Sequence, residues 1–298
     1  MTPPVTVYLI DASPYIFRAY FSLPASLRSP GGEPVGAVYG FAAFLAKLVE
    51  AEAPTHLGVA FDQSLTTSFR NEIYPAYKAR RELPPPELEA QLEACYELAA
   101  ALGAATSIDE RYEADDLIGT LCRGLVGAGH GAVVVTSDKD LAQLVGERVG
   151  LYDFARGVRY GAAEVREKFG VSPQQIPDLL GLAGDSVDNI PGVPGVGAKT
   201  AAALLGHFGS LDVLFARLDE VERLPLRGAR SLASKLAASR ELAFLSRRLA
   251  TIATDAPVEA DLDELEFRGP DPARLEPLLT RLGFSGLRDR LLALPAGR

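Results

Sequence analysis

The chain has 298 residues, 48% of them hydrophobic, and a formal net charge of −9. That size and apolar content suit a folded protein with one large core or two ordinary ones, and exclude a disordered chain. No uncharged apolar run approaches the roughly 20 residues of a membrane-spanning helix, and no basic residue precedes the short apolar run near Met1, so no membrane association and a cytoplasmic location are expected.

Strand and helix signals alternate through the first half. Residues 5–11 (VTVYLID), 55–62 (THLGVAFD) and 131–138 (GAVVVTSD) are short β-branched or apolar runs, and helix-length patterns cover 35–53, 86–104 and 114–129. The alternation predicts an α/β fold, a mostly parallel sheet flanked by helices. Each of the three strands stops at an aspartate: Asp11, Asp62 and Asp138. Ligands of open parallel sheets bind beyond the carboxyl ends of the strands, so these three side chains are expected on one rim. One strand-ending aspartate is a common turn signal; three in succession are poorly explained that way.

Residues 64–86 lack a clear core face, which is long for a loop in a compact domain. They carry Arg70, Lys78, Arg80 and Arg81 against Glu72 and Glu82, with Phe69, Tyr74 and Tyr77 interleaved. Either this is a solvated crossover or it meets a nucleic-acid strand, whose phosphates suit the charges and whose bases suit the rings.

From about Val171 the pattern becomes helix, Gly/Pro-rich turn, helix, with Ser172 or Pro173 opening the first helix and 198–205 forming the second. The turn PGVPGVGAKT is not a Walker loop, because Ala198 separates Gly197 from Lys199. Nor is it a dinucleotide fingerprint, which would need Gly or Ala at Thr200 and a preceding strand. A helix-hairpin-helix remains. Gly192, Val193, Gly195, Val196 and Gly197 would let backbone amides approach a phosphate, with Lys199 and Thr200 at the start of the next helix. Beyond it Arg217, Arg223, Arg227, Arg230, Lys235, Arg240, Arg247 and Arg248 outnumber Asp219, Glu220, Glu222 and Glu241. Beside a phosphate-binding hairpin, that excess predicts a surface for a nucleic-acid backbone.

The stretch RYEADDLIGTL brings Glu113, Asp115 and Asp116 together at a helix start. Two like charges about 5 Å apart at an effective dielectric near 20 repel by roughly 3 kcal/mol, so such a group holds protons or cations. On a helix Glu113 and Asp116 share a face, and Asp115 lies about 100° from Asp116. SDKDL adds Asp138 and Asp140, and GDSVDN adds Asp185 and Asp188. With Asp11 and Asp62 these make nine acids. His56, His130 and His207 are scattered, and Cys95 and Cys122 read as reduced core thiols. An all-oxygen donor set suits Mg²⁺ or Mn²⁺ rather than zinc, and two such ions can activate water and stabilise the leaving oxygen of a phosphodiester.

The segments YLIDASPYIFRAYF, GEPVGAVYGFAAFLAKL, VAFDQSLTTSFRNEIYPAYKARR, YEADDLIGTL, VTSDKDLAQLV and LAGDSVDNIPGVPGVGAKTAAALL resemble, in order and spacing, the successive motifs of the 5′-nuclease domain of bacterial DNA polymerase I, a member of the flap endonuclease superfamily. The resemblance covers nearly the whole chain. It implies a PIN-like (Rossmann-like) core at 1–170 with a helical arch at about 64–86. A helix-three-turn-helix DNA-binding subdomain at 171–255 and a helical tail at 256–298 packing on the core would follow. It further implies 5′-3′ exonuclease and 5′-flap endonuclease activity on DNA with flaps, nicks or free 5′ ends, in replication or repair.

Carried over by motif, Asp11, Asp62, Glu113, Asp115 and Asp116 would hold or support a first metal, and Asp138, Asp140, Asp185 and Asp188 a second. Tyr77, Lys78 and Arg81 would engage the scissile phosphate and the threaded strand, with Arg70 and Arg80 as further DNA contacts. The hairpin from Gly192 to Gly197 would make a potassium-bridged contact to duplex phosphates. A monomer in the nucleoid, with a DNA polymerase as partner, is the corresponding expectation. Ala12 departs from the glycine that commonly follows the first aspartate, and Arg80 makes the arch more basic than in some relatives. Two other functions are weighed against this one: a PIN-like ribonuclease, which normally lacks an extended arch and a long hairpin module, and a non-catalytic junction-binding protein, which would leave the acids without a purpose.

Overall fold

The computed structural model describes residues 3–64, 67–81, 84–226 and 228–297. Over these residues β1 (Thr6–Asp11), β2 (Leu57–Asp62), β3 (Ala105–Asp109), β4 (Gly131–Val135), β5 (Val149–Asp153) and β6 (Val158–Tyr160) form one six-stranded sheet in the order β3-β2-β1-β4-β5-β6. All neighbours are parallel except β5 and β6. Helices α1 (Ala12–Ser22), α2 (Gly36–Glu52), α3 (Phe69–Ile73), α4 (Pro86–Ala101) and α5 (Ala114–Gly127) connect the first four strands. After the sheet come α6 (Ala162–Phe169), α7 (Ile176–Ala183), α8 (Ala198–Phe208), α9 (Leu211–Ala216), α10 (Leu218–Val221), α11 (Ala229–Ala238) and α12 (Arg240–Ala250). Three more helices, α13 (Leu262–Leu265), α14 (Pro272–Leu282) and α15 (Ser285–Leu292), complete the order.

Both faces of the central strand are buried. Val7 and Leu9 of β1 enter one core with Leu117, Leu121 and Val134, while Ile10 enters the other with Phe41, Leu45 and Leu98. Such a strand reads as an unbroken apolar run instead of an alternating one. The first core continues through Leu179 and Leu182 of α7, Leu204 of α8 and Leu249 of α12, so the region after residue 170 packs on the α5 side of the sheet. The second core includes Leu275, Leu279, Phe284 and Leu291, which lay α14 and α15 against α2 and α4. Arg290 adds a two-pronged ion pair with Glu50, at 2.7 and 2.6 Å. No helix among the described residues is long and apolar enough to cross a membrane.

The mostly parallel sheet expected from the alternation is present, with differences at its margins. The run 131–138 is a strand only to Val135, because the chain turns at Thr136, and Asp138 stands beyond the strand end. Strands β3, β5 and β6 went unrecognised in the sequence; β3 (ATSID) lies at the sheet edge, with none of its residues buried, and lacks the apolar run that marks the others. The segment expected to form a helical arch contains the short helix α3 and a turn over 75–80, while residues 65, 66, 82 and 83 of that segment lie outside the described residues. The first hairpin helix starts as a 3-10 turn at Pro173–Gln175 before α7, and the second is α8.

Two glycines fix how the helical region sits. At Gly119 a Cβ would lie 2.5 Å from Ile252 Cγ2 and 2.9 Å from the Ala253 carbonyl, so only a bare backbone lets α5 approach the segment after α12. Gly192 has φ +61°, and a Cβ there would stand 2.3 Å from the Gly184 amide nitrogen. Gly192→Ala is therefore expected to destabilise the protein by at least about 1–3 kcal/mol through backbone strain alone, seen as a lower urea midpoint at unchanged slope; an unchanged midpoint would mean the hairpin can shift freely.

Candidate active site

Strand register brings the predicted carboxylates together. Asp11 is aligned with Ala60 of β2, and Ile10 with Val135 of β4, so the carboxyl ends of three adjacent strands are nearly flush. Buried Asp11 accepts a hydrogen bond from Thr136 Oγ at 2.8 Å. Asp62 accepts from Ser13 Oγ at 2.6 Å and from the Ala114 N–H at 2.9 Å, which ties β2 to α1 and to the first residue of α5. Asp138 accepts the Asp140 N–H at 2.8 Å. At the start of α5, Asp116 accepts the Glu113 N–H at 3.1 Å, as suits acids at the positive end of a helix.

Resident cations divide the nine acids into two sets. Asp116, fully buried, receives a two-pronged ion pair from Arg70 at 2.7 and 2.8 Å and the Ala253 N–H at 2.8 Å. Glu113 receives Arg70 at 2.8 Å, the Tyr77 hydroxyl at 3.1 Å and the Lys78 ammonium. Asp185 pairs with Lys139, and Asp188 with Arg81 at 2.6 Å. Among the described residues, Asp11, Asp62, Asp115, Asp138 and Asp140 have no ion-pair partner.

The electrostatics follow that division. Burial pushes the carboxyls of Asp11 and Asp115 well above the ordinary range; Asp62 and Asp138 push Asp11 further, as Asp11, Asp138 and Asp62 do Asp115. Burial also raises Asp138, against the lowering hydrogen bond from the Asp140 N–H. Burial and then the charge of Asp138 bring Asp140 up to about 8, and its buried Oδ1 has no hydrogen-bond partner. Burial would raise Glu113 too, but Lys78 and Arg70 hold it below its ordinary value, and Lys139 outweighs burial at Asp185 in the same way. An all-oxygen set with uncompensated charge and an orphaned buried oxygen fits a hard divalent cation. No three acidic, histidine or cysteine side chains among the described residues already form a coordination set.

The remaining candidates differ in how they are placed. Arg70, expected on the DNA, is 3% exposed; it donates to the carbonyls of Leu249 (2.8 Å) and Thr251 (3.0 Å) as well as to Glu113 and Asp116. It is an internal strut. Asp116, expected to hold or support a first metal, has both oxygens on Arg70, a placement that suits the supporting role. Tyr77 and Lys78 are buried against Glu113, Arg81 is half-buried on Asp188, and Arg80 is exposed. In the hairpin Gly195, Gly197 and Lys199 are exposed and Thr200 is half-buried, while Gly192, Val193 and Val196 are buried supports. Of the basic run, Arg217, Arg230 and Arg247 are engaged by Glu220, Glu222 and the pair Asp178 and Asp212. Arg223, Lys235, Arg240 and Arg248 are exposed, and Arg227 lies outside the described residues.

Sequence reasoning missed Thr136 and Ser13, which hold Asp11 and Asp62, and Lys139, which neutralises Asp185. Each lies within two residues of a proposed ligand, and that proximity was the available signal. Asn189, which reaches the Ala76 carbonyl at 2.6 Å, stands next to Asp188 and carried the same signal.

A mostly parallel sheet with an acid-lined carboxyl mouth and a glycine-rich hairpin beside it is the architecture of a resolvase-like nuclease. The chain belongs to the 5′-3′ exonuclease family, whose N-terminal resolvase-like domain matches residues 6–170 and whose C-terminal SAM fold matches residues 171–273. It is 44% identical over 285 residues to DNA polymerase I of Pseudomonas aeruginosa and 41% identical over 295 residues to that of Bacillus subtilis. Those matches take in 95% and 98% of this chain but 31% and 33% of the relatives, so the chain spans about a third of their length. The zinc-bound T5 5′-exonuclease superposes with TM-score 0.67 at 22% identity, over 93% of this chain and 99% of that one. The catalytic core of Rad2 with DNA substrate does so with TM-score 0.65 at 18% identity, over 98% and 92%. These likenesses bear on the fold.

Removing one partner of a buried ion-pair group leaves uncompensated charge, so Arg70→Met is expected to cost about 3–5 kcal/mol, measured by urea unfolding of the metal-free protein. A loss under about 1 kcal/mol would remove Arg70 from the strut role. The acids with raised values set a pH dependence of definite sign. Between the ordinary carboxyl value near 4 and the value of about 8 at Asp140, the folded state holds protons that the unfolded state has released, so stability falls as pH rises through that window. Metal-free protein is expected to melt at a lower temperature at pH 8 than at pH 5.5, and Mg²⁺ or Mn²⁺ should abolish the difference.

Proposed function

We propose that the chain is a divalent-metal-dependent 5′-3′ exonuclease and structure-specific 5′-flap endonuclease, hydrolysing DNA phosphodiesters in replication or repair, including removal of primer-bearing 5′ ends. The observation that carries this reading is the set of five acids without a resident cation, at the mouth of a family fold. Asp11, Asp62, Asp115, Asp138 and Asp140 would hold Mg²⁺ or Mn²⁺. Glu113, Asp185 and Asp188 could join them by releasing Lys78, Lys139 and Arg81. When bound, the ions would supply a water nucleophile at neutral pH and stabilise the charge on the leaving oxygen.

The chain's own residues then divide the remaining work. Lys78 and Arg81, freed from Glu113 and Asp188, would turn to the non-bridging oxygens of the scissile phosphate, where charge develops in the transition state. Tyr77, buried with its hydroxyl on Glu113, would brace the segment that carries Lys78 and Arg81. The amides of Gly195 and Gly197, with Lys199 and Thr200 at the start of α8, would donate to duplex phosphates, and carbonyl oxygens of the same turn would hold a potassium ion beside them. Arg80 and the exposed cations Lys235 and Arg248 would meet further phosphates, with affinity falling as salt rises. The T5 5′-exonuclease neighbour holds divalent metal ions and the Rad2 neighbour holds DNA, which supports both parts of the reading. The polymerase relatives support a DNA polymerase as partner, and the chain would act as a monomer in the nucleoid.

A labelled 5′-flap oligonucleotide should be cut near the junction with Mg²⁺ or Mn²⁺ and left intact with EDTA. Asp115→Asn should lower single-turnover cleavage by about 10²-fold or more while flap affinity in Ca²⁺ stays unchanged. Binding without any metal-dependent cleavage, or a preference for single-stranded RNA, would overturn the proposal.

A further inference from the structure

Segment 76–81 is fastened to the loop ahead of the hairpin by more than side-chain charge. The Lys78 N–H donates to the Asp188 carbonyl at 2.9 Å, and Asn189 Nδ2 donates to the Ala76 carbonyl at 2.6 Å. Arg81 and Tyr77 also reach the Asp188 carboxylate, at 2.6 and 3.4 Å. Among the described residues three non-glycines have positive φ: Ala53 at a helix end, and Lys78 and Asn189, both at 55° and bonded to one another's segments. Asparagine tolerates that region; lysine does so only at a cost. The strained Lys78 backbone is thus held by a residue whose own backbone is comfortable there.

The loop that bears Asn189 is a closed unit. Asp185 and Ile190 exchange backbone hydrogen bonds at 2.9 and 2.7 Å, and Asp185 Oδ1 accepts the N–H groups of Val187 and Asp188. Three residues after Asn189 stands Gly192, whose N–H donates to Ser246 Oγ at 2.9 Å. The same short stretch therefore faces the hairpin at one end and Lys78 at the other.

We propose that Asn189 is a positioning residue that latches the Tyr77–Lys78–Arg81 segment to the hairpin-bearing loop, so that Lys78 is set for cleavage only while the loop keeps its present shape. This rests on the nuclease reading above, in which Lys78 acts on the scissile phosphate. The side-chain amide restrains the carbonyl two residues before Lys78, and the neighbouring Asp188 carbonyl restrains the Lys78 amide. Losing the first bond loosens the second, and a displacement of about 1 Å at a catalytic group can cost about 10²-fold in rate.

The test uses Asn189→Gly, which keeps the left-handed backbone and removes the amide, and Asn189→Asp, which keeps the shape and turns the donor into an acceptor facing Ala76. In metal-free protein without DNA, hydrogen exchange of peptide 76–81 should speed up at least about 10-fold in both variants while α7 and α8 stay protected. Parent-level protection would overturn the latch whether or not the protein is a flap nuclease. With a 5′ flap and Mg²⁺, single-turnover cleavage should fall at least about 10-fold with affinity in Ca²⁺ within about 2-fold. In a Lys78→Ala background the same change should cost less than about 2-fold. A full-size effect without Lys78, or a parallel loss of affinity, would show that Asn189 acts through docking instead. If the parent itself cuts no flap, the nuclease reading fails, and the exchange measurement still decides the latch.

Discussion

Carboxylates withdrawn from water beside one another cannot all keep their charge unaided, and the structure is organised around that constraint. Two like charges about 4 Å apart at an effective dielectric near 20 repel by roughly 4 kcal/mol. Where the protein supplies its own cation, as Arg70 does for Asp116, the acid is fixed and serves as architecture. Where it supplies none, as at Asp11, Asp115 and Asp140, burial and mutual repulsion raise the carboxyl until a proton or an outside cation resolves the conflict. The resident cations thus separate acids that carry an ion pair from acids that do not, a distinction that the sequence alone could not make.

Arg70 shows why the structural half matters to the functional half. Its guanidinium joins α3 to the start of α5 through Glu113 and Asp116, and to the end of α12 through the carbonyls of Leu249 and Thr251. A fork of five donors is suited to such a junction, where lysine could satisfy only part of it. The start of α5, which carries Asp115, is thereby fixed relative to the helical region that bears the hairpin. Lys78, Lys139 and Arg81 differ from Arg70 in degree. Each holds an acid at the same mouth, and Lys139 and Arg81 are partly open to solvent, so an arriving phosphate or metal can displace them at smaller cost.

The legible parts of the sequence were those in which one physical signal dominated. Apolar runs ending in Asp11 and Asp62 marked two adjacent strands because both faces of those strands are buried. The glycine and proline spacing of the hairpin excluded two nucleotide loops by single residues, Ala198 and Thr200. Strand β3 was not legible, because an edge strand has neither an apolar run nor alternation. The placement of Arg70 was not legible for a related reason. In sequence, an arginine among aromatics has the same appearance whether it faces phosphate or carboxylate, and only the packing of α3 against α5 and α12 decides which.

The overall charge of −9 stands in apparent conflict with a polyanionic substrate, and the geometry resolves it. Long-range repulsion is screened beyond about 10 Å at 0.1 M salt, so a nucleic acid responds to charge within a few ångströms of its phosphates. Asp11, Asp116 and Asp185 are nearly inaccessible in the mouth, and protons, Arg70 or Lys139 already mask much of their charge. Lys199 of the hairpin and Arg240 of α12, by contrast, are exposed. Nine acids meet at the mouth, while accessible positive charge stands on the hairpin and on α12. A cation taken up by the acids without an ion-pair partner would further reduce the negative field of the mouth, so the repulsion an approaching anion meets there depends on what those acids hold.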